Sequence, residues 1–111
     1  MGLQDNDILS GRGGDDIVKA NDGDDKILGY AGDDVLQGDS GDDKIDGGGR
    51  NDVLKGEDGD DILYGVTGND IMRRGHGANE FICGDGIDTI LDYNPAQGDI
   101  ISNDCEIVGR I

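Results

Sequence analysis

GRGGDDIVK (residues 11–19), ANDGDDKIL (20–28), GYAGDDVLQ (29–37), GDSGDDKID (38–46), GGGRNDVLK (47–55), GEDGDDILY (56–64) and GVTGNDIMR (65–73) follow one another without a break. The sixth position is always aspartate: Asp16, Asp25, Asp34, Asp43, Asp52, Asp61 and Asp70. The eighth is always apolar: Val18, Ile27, Leu36, Ile45, Leu54, Leu63 and Met72. The fourth is glycine (Gly14, Gly23, Gly32, Gly41, Gly59, Gly68) except at Arg50. A fixed short period is the mark of a stacked repeat and decides the architecture before any other feature is read.

The period runs on in both directions. Residues 2–10 keep Asp7 and Leu9 but place Asp5 where glycine belongs. Residues 74–82 keep Gly77 and Phe81 with Asn79 for aspartate, and 83–91 keep Gly86, Asp88 and Ile90. Positions one to six are turn residues with little reason to form helix. Positions seven to nine carry one constant apolar side chain between two variable ones, which reads as a very short strand with its middle residue inward. Nothing has a 3.6-residue period. Loop and strand repeated at nine predict a coil of 18 residues with two parallel strands, stacked about five coils high over residues 2–91. The expected fold is all-β, a right-handed parallel β-roll closed by a C-terminal cap.

Bulk composition narrows the function. Nine Lys and Arg stand against 26 Asp and Glu, a net charge of −17. That argues against nucleic acid and anionic membranes and in favour of cations. A length of 111 residues means one domain, two at most. With 33% apolar residues and only four aromatics, the core must be thin. No stretch is long and apolar enough to span a bilayer, so no membrane insertion is expected. No basic-then-apolar start resembles a cleaved signal, so export would need another route or a removed segment. The start near a repeat boundary suggests a piece of something longer.

The loops pose an electrostatic problem. Paired carboxylates recur every nine residues, and stacking brings each beside its copies, where like charges repel. A hard divalent cation resolves this. Calcium takes six to eight carboxylate and carbonyl oxygens in flexible geometry, and glycine lets carbonyls turn inward. Magnesium demands a stricter octahedron, and zinc would want Cys or His.

These units resemble the Gly-Gly-x-Gly-x-Asp-x-apolar-x nonapeptides of the repeats-in-toxin (hemolysin-type) calcium-binding family. The resemblance covers about 90 residues and implies a β-roll with Ca²⁺ between loops one coil apart. It implies two ligand stacks, one of Asp7, Asp25, Asp43, Asp61 and Asn79, the other of Asp16, Asp34, Asp52, Asp70 and Asp88. Carbonyls of positions one to four would complete each site, among them those of Gly11, Gly13, Gly14, Gly23, Gly29, Gly32, Gly38, Gly41, Gly47, Gly49, Gly56, Gly59, Gly65 and Gly68. Four gaps per edge allow about eight ions at most, nearly cancelling the charge of −17. Arg50 is expected to distort the gaps beside Asp52, and Asn79 and Asp5 to weaken theirs. The position-five carboxylates (Asp15, Asp24, Asp33, Asp42, Asp60) are expected to face solvent.

Residues 92–111 are expected to cap the open end as a strand or short hairpin, with a turn at Asn94-Pro95; a frayed tail is the alternative. Cys83 and Cys105 either form a disulfide suited to an oxidising exterior or remain buried thiols. No catalytic set is visible: His76 stands alone at a loop position, and every carboxylate pair belongs to the repeat, so no enzyme is expected. The expected function is a calcium-binding structural module that folds on binding several Ca²⁺, part of or derived from a secreted or cell-surface protein. The alternative is an extracellular surface-recognition or adhesion module. It would present the outward ladder Ile17, Val35, Val53 and Ile71 for self-association or protein docking, although simple cross-strand pairing also explains that ladder.

Overall fold

A computed structural model describes residues 7–73, 75–93, 95–102, 105 and 107–110. The first five positions of the opening unit (including Asp5), Arg74, Asn94 and Ile111 lie outside the described residues. The strands fall on positions seven to nine of each unit: β1 (Ile8–Ser10), β2 (Ile17–Lys19), β3 (Lys26–Leu28), β4 (Val35–Gln37), β5 (Lys44–Asp46), β6 (Val53–Lys55), β7 (Ile62–Tyr64), β8 (Ile71–Arg73), β9 (Glu80–Ile82) and β10 (Thr89–Tyr93). After a 3₁₀ turn at Pro95–Gln97 come β11 (Ile100–Ile101) and β12 (Ile107–Arg110).

Odd strands form one parallel sheet in the order β1-β3-β5-β7-β9-β11, and even strands the other, β2 to β12. Each strand therefore pairs with the one 18 residues away, Ile27 opposite Ile45 and Leu36 opposite Leu54. This is the parallel β-roll that the nine-residue period predicts. One residue per strand points inward. Val18, Ile27, Leu36, Ile45, Leu54, Leu63, Met72, Phe81 and Ile90 make a single file of buried side chains between the sheets. A core one side chain thick explains the flat shape, 31 × 27 × 16 Å.

The segment beyond Leu91 continues the roll. β11 adds to β9 and β12 adds to β10, both in parallel, instead of a hairpin crossing the end. Ile100 pairs with Glu80, a spacing of 20 where the repeats have 18. A lengthened β10 and the 3₁₀ turn supply the extra residues, which hides this coil from a strict nine-residue reading. A disulfide joins Cys83 to Cys105, with Cα atoms 5.2 Å apart, and ties this last coil to the one beneath it.

Each loop makes two left-handed turns, at positions two and four. Position four has φ between +90° and +112° at its glycines. A Cβ added to Gly41 would overlap the carbonyl oxygen of Gly23 one coil below, so the coils stack only because that atom is missing. Arg50 occupies the equivalent place with φ near +71°, and the ladder beside it holds, with Asn51 N–H reaching Asp33 Oδ1 at 3.1 Å. Position two is left-handed even where it is not glycine: Arg12, Asn21, Tyr30, Asp39, Glu57 and Val66 all have φ between +63° and +73°. For a β-branched residue this is a strained conformation, costing roughly 1–2 kcal/mol. Val66 is 40% exposed, so little packing offsets that cost. Val66→Gly is therefore expected to stabilise the folded form by about 1 kcal/mol, read as a raised midpoint in urea unfolding at fixed calcium; a lowered midpoint would contradict the strain assignment.

Candidate calcium sites

Every position-six side chain lies at the end of a loop, just before a strand, and turns inward. Asp25, Asp34, Asp43, Asp52, Asp61, Asp70, Asn79 and Asp88 are all 3% exposed or less. One carboxylate oxygen is held by the coil before it. The N–H of Asp25 donates to Asp43 Oδ1, that of Asp43 to Asp61 Oδ1 and that of Asp61 to Asn79 Oδ1, each at 2.8 Å. On the opposite edge Asp16 donates to Asp34, Asp34 to Asp52, Asp52 to Asp70 and Asp70 to Asp88, at the same distance. Asp7 N–H reaches Asp25 Oδ1 at 2.6 Å. The structure thus gathers these residues into two stacks, one per edge of the roll.

The second oxygen is the informative one. Oδ2 of Asp16, Asp25, Asp34, Asp43, Asp52, Asp61 and Asp70 is buried with no hydrogen-bond partner. A buried carboxylate oxygen without a donor costs free energy and calls for an explanation such as a bound ion. The position-one glycines frame it. A Cβ on Gly11, Gly29, Gly38, Gly47, Gly56 or Gly65 would stand 2.5–3.0 Å from Oδ2 of the aspartate five residues on. The carbonyl oxygen of the next coil also borders that space: Gly47 O beside Gly29, Cys83 O beside Gly65. Carboxylate and carbonyl oxygens converging on a cradle kept open by missing Cβ atoms match the donor set of calcium. Among the described residues no three His, Cys, Asp or Glu side chains surround one point.

The remaining glycines of the expected ligand set differ in backbone geometry and in the space around them. Gly14, Gly23, Gly32, Gly41, Gly59 and Gly68 make the left-handed turn at position four. A Cβ on Gly13 would meet nothing, and one on Gly49 only distant atoms. Ala20 already carries a buried methyl at position one of its own loop.

Two features escape a reading of the sequence. The position-five side chains are solvent-exposed yet structural. Asp15, Asp24, Asp42 and Asp60 each accept an N–H from the coil after them at 2.8 Å, opposite in direction to the position-six ladder. Asn51 and Asn69 do the same, so the oxygen matters and the charge does not. The second feature is Asp99, which is buried and accepts Asn79 N–H at 2.9 Å. It is the position-six residue of the additional coil, and the Gly98-Asp99-Ile100-Ile101 run was its one available signal.

Burial shifts these acids. Loss of water, partly offset by the backbone N–H and reinforced by the carboxylate one coil away, raises Asp52 to about 6, Asp43 to about 7 and Asp61 to about 9. Asp34 is raised by the same burial, and Asp70 is raised by burial and by neighbouring Asp88 and Asp52.

This is the loop architecture of a calcium-binding β-roll. A family model described as the RTX calcium-binding nonapeptide repeat, in four copies, matches residues 1–36 and again residues 37–72. Those matches cover well over half of the chain, which belongs to this family of calcium-binding repeats. The family is a structural module and not an enzyme family. Searches of curated proteins and of solved structures returned no match.

The raised acids set the pH response of the metal-free roll. Each is uncharged in both the folded and unfolded states below its ordinary value of 3.8; stability falls as pH rises from there and levels off above the raised values, about 6 for Asp52, about 7 for Asp43 and about 9 for Asp61. Calcium, which competes with those protons, must bind more tightly across the same range. In chelator, circular dichroism is expected to show more β-structure at pH 5 than at pH 8.5, with the apparent calcium affinity moving the opposite way. A metal-free form that gained structure as pH rose would refute the assignment.

Proposed function

We propose that the chain is a calcium-triggered structural module of a secreted protein, disordered where calcium is scarce and folded where it is plentiful. The supporting observation is the row of buried, partnerless Oδ2 atoms facing carbonyls. Without a cation these stacked acceptors repel across a core one side chain thick. Binding free energy is then folding free energy. Extracellular calcium-binding modules typically work at about 10⁻⁴–10⁻³ M, the concentration outside cells. The Cys83–Cys105 disulfide suits the same oxidising exterior. The nine aspartates of positions 7 to 70 and 88 act as ligands through Oδ2, and the loop glycines let carbonyls approach. A far-ultraviolet circular dichroism titration tests this. The expected result is a cooperative passage from disorder to β-structure with Ca²⁺ and none with equal Mg²⁺; a spectrum already folded in chelator at pH 7.5 and indifferent to Ca²⁺ would overturn it.

A second reading gives the roll a self-association face. β2, β4, β6 and β8 turn Ile17, Val35, Val53 and Ile71 outward in register, flanked by Lys19, Gln37, Lys55 and Arg73. Those strands carry no carboxylate on a chain of net charge −17, and Ile17 is 73% exposed. Val35→Thr with Val53→Thr is expected to weaken any calcium-dependent dimer seen by sedimentation; an unchanged oligomeric state removes this reading.

A further inference from the structure

Asn79 stands where the neighbouring loops of its edge have aspartate. Its Oδ1 takes the same place as theirs, accepting the Asp61 N–H at 2.8 Å. The other branch differs. In Asp43 and Asp61 it is an oxygen with no hydrogen-bond partner. In Asn79 it is Nδ2, which donates to the carbonyl of His76 at 3.4 Å and to that of Gly77 at 3.5 Å. These are the carbonyls of loop positions three and four. The amide cannot be turned over. Flipped, its NH₂ would face the Asp61 N–H and its oxygen would face two carbonyls.

A carboxylate and a carbonyl are both acceptors, so whatever bridges them must bring positive charge or protons: a cation, a water, or the proton of a neutral carboxyl. An amide NH₂ brings its own protons to the same spot. We propose that the side-chain amide of Asn79 replaces a calcium ion in its loop, so that this loop closes without metal and the chain binds one ion fewer than its loop count allows. The inference rests on the calcium reading given above.

The surroundings meet the rest of this loop's requirements with protein atoms. Asp99 Oδ1 accepts the Asn79 N–H at 2.9 Å, and Ile100 N–H donates to the Asn79 carbonyl at 2.9 Å. His76 N–H is bonded to the Glu57 carbonyl one coil below at 3.0 Å. The side chain is 1% exposed, so water does not compete for these groups. The coil above is tied on by Cys83–Cys105. The roll thus changes its bonding at this end, from loops joined through ions to a loop joined by amide protons and a covalent link.

The test is calcium stoichiometry by equilibrium dialysis at saturation, on the full chain with its disulfide intact. Asn79→Asp is expected to bind one more ion per chain than the wild type. Asp61→Asn, which moves the amide into the preceding loop of the same edge, is expected to bind fewer while keeping its β-sheet spectrum in saturating Ca²⁺. An unchanged stoichiometry in either variant overturns the proposal, as does loss of the sheet spectrum in Asp61→Asn. If Asn79→Asp fails to fold in saturating Ca²⁺, Asp61→Asn decides alone. A wild-type chain that binds no calcium at all would sink the calcium reading itself, an outcome distinct from a calcium-binding wild type with unaltered variants.

Discussion

Stacked carboxylates set the terms for everything else in this molecule. A parallel roll with an 18-residue coil places the position-six aspartates next to their copies above and below, and those from Asp25 to Asp88 are 3% exposed or less. One oxygen of each is met by a backbone N–H from the neighbouring coil, which fixes the side chain and aims the other oxygen at the loop interior. In Asp25, Asp34, Asp43, Asp52, Asp61 and Asp70 that second oxygen finds no hydrogen-bond donor. The fold therefore concentrates its like-charge repulsion at the edges, where the donor set is the one that calcium takes.

The loops are shaped around that cation. The backbone is left-handed at positions two and four, and the glycine at position four lets one coil rest on the carbonyl of the last. Glycine at position one leaves room beside Oδ2. Neither requirement comes from the strands, which pair through ordinary parallel ladders and bury one aliphatic residue each. The strands provide spacing, and the loops provide chemistry. A thin core and strained position-two residues leave little stability to spare.

The C-terminal end of the roll solves the problem differently from its middle. Through the middle, acceptors face acceptors. Near the C-terminus, Asn79 brings protons to its own loop carbonyls, Asp99 takes the place of a repeat aspartate at a spacing of 20, and the disulfide holds the final coil. Arg50 shows a similar tolerance mid-roll, since a side chain at position four is accommodated with φ near +71° and the hydrogen-bond ladder persists.

The nine-residue period by itself determined the strands, the two sheets, the inward file from Val18 to Ile90 and the two aspartate stacks. It could do so because each coil repeats one local solution, and stacking identical solutions leaves no choice of partner or register. Where the repeat breaks, that logic fails. The sequence suggested a cap across the open end, whereas β11 and β12 extend both sheets, because a two-residue insertion shifts the register of Asp99 without changing what it bonds. Position five read as solvated charge, yet its oxygens carry a second ladder between coils. Only the tertiary structure decided these points, and also which oxygen of the aspartates from Asp25 to Asp70 is satisfied and which is left without a donor. Those outcomes depend on atoms 18 to 20 residues apart in the chain meeting at hydrogen-bond distance, and composition and spacing constrain such meetings only as far as the period holds.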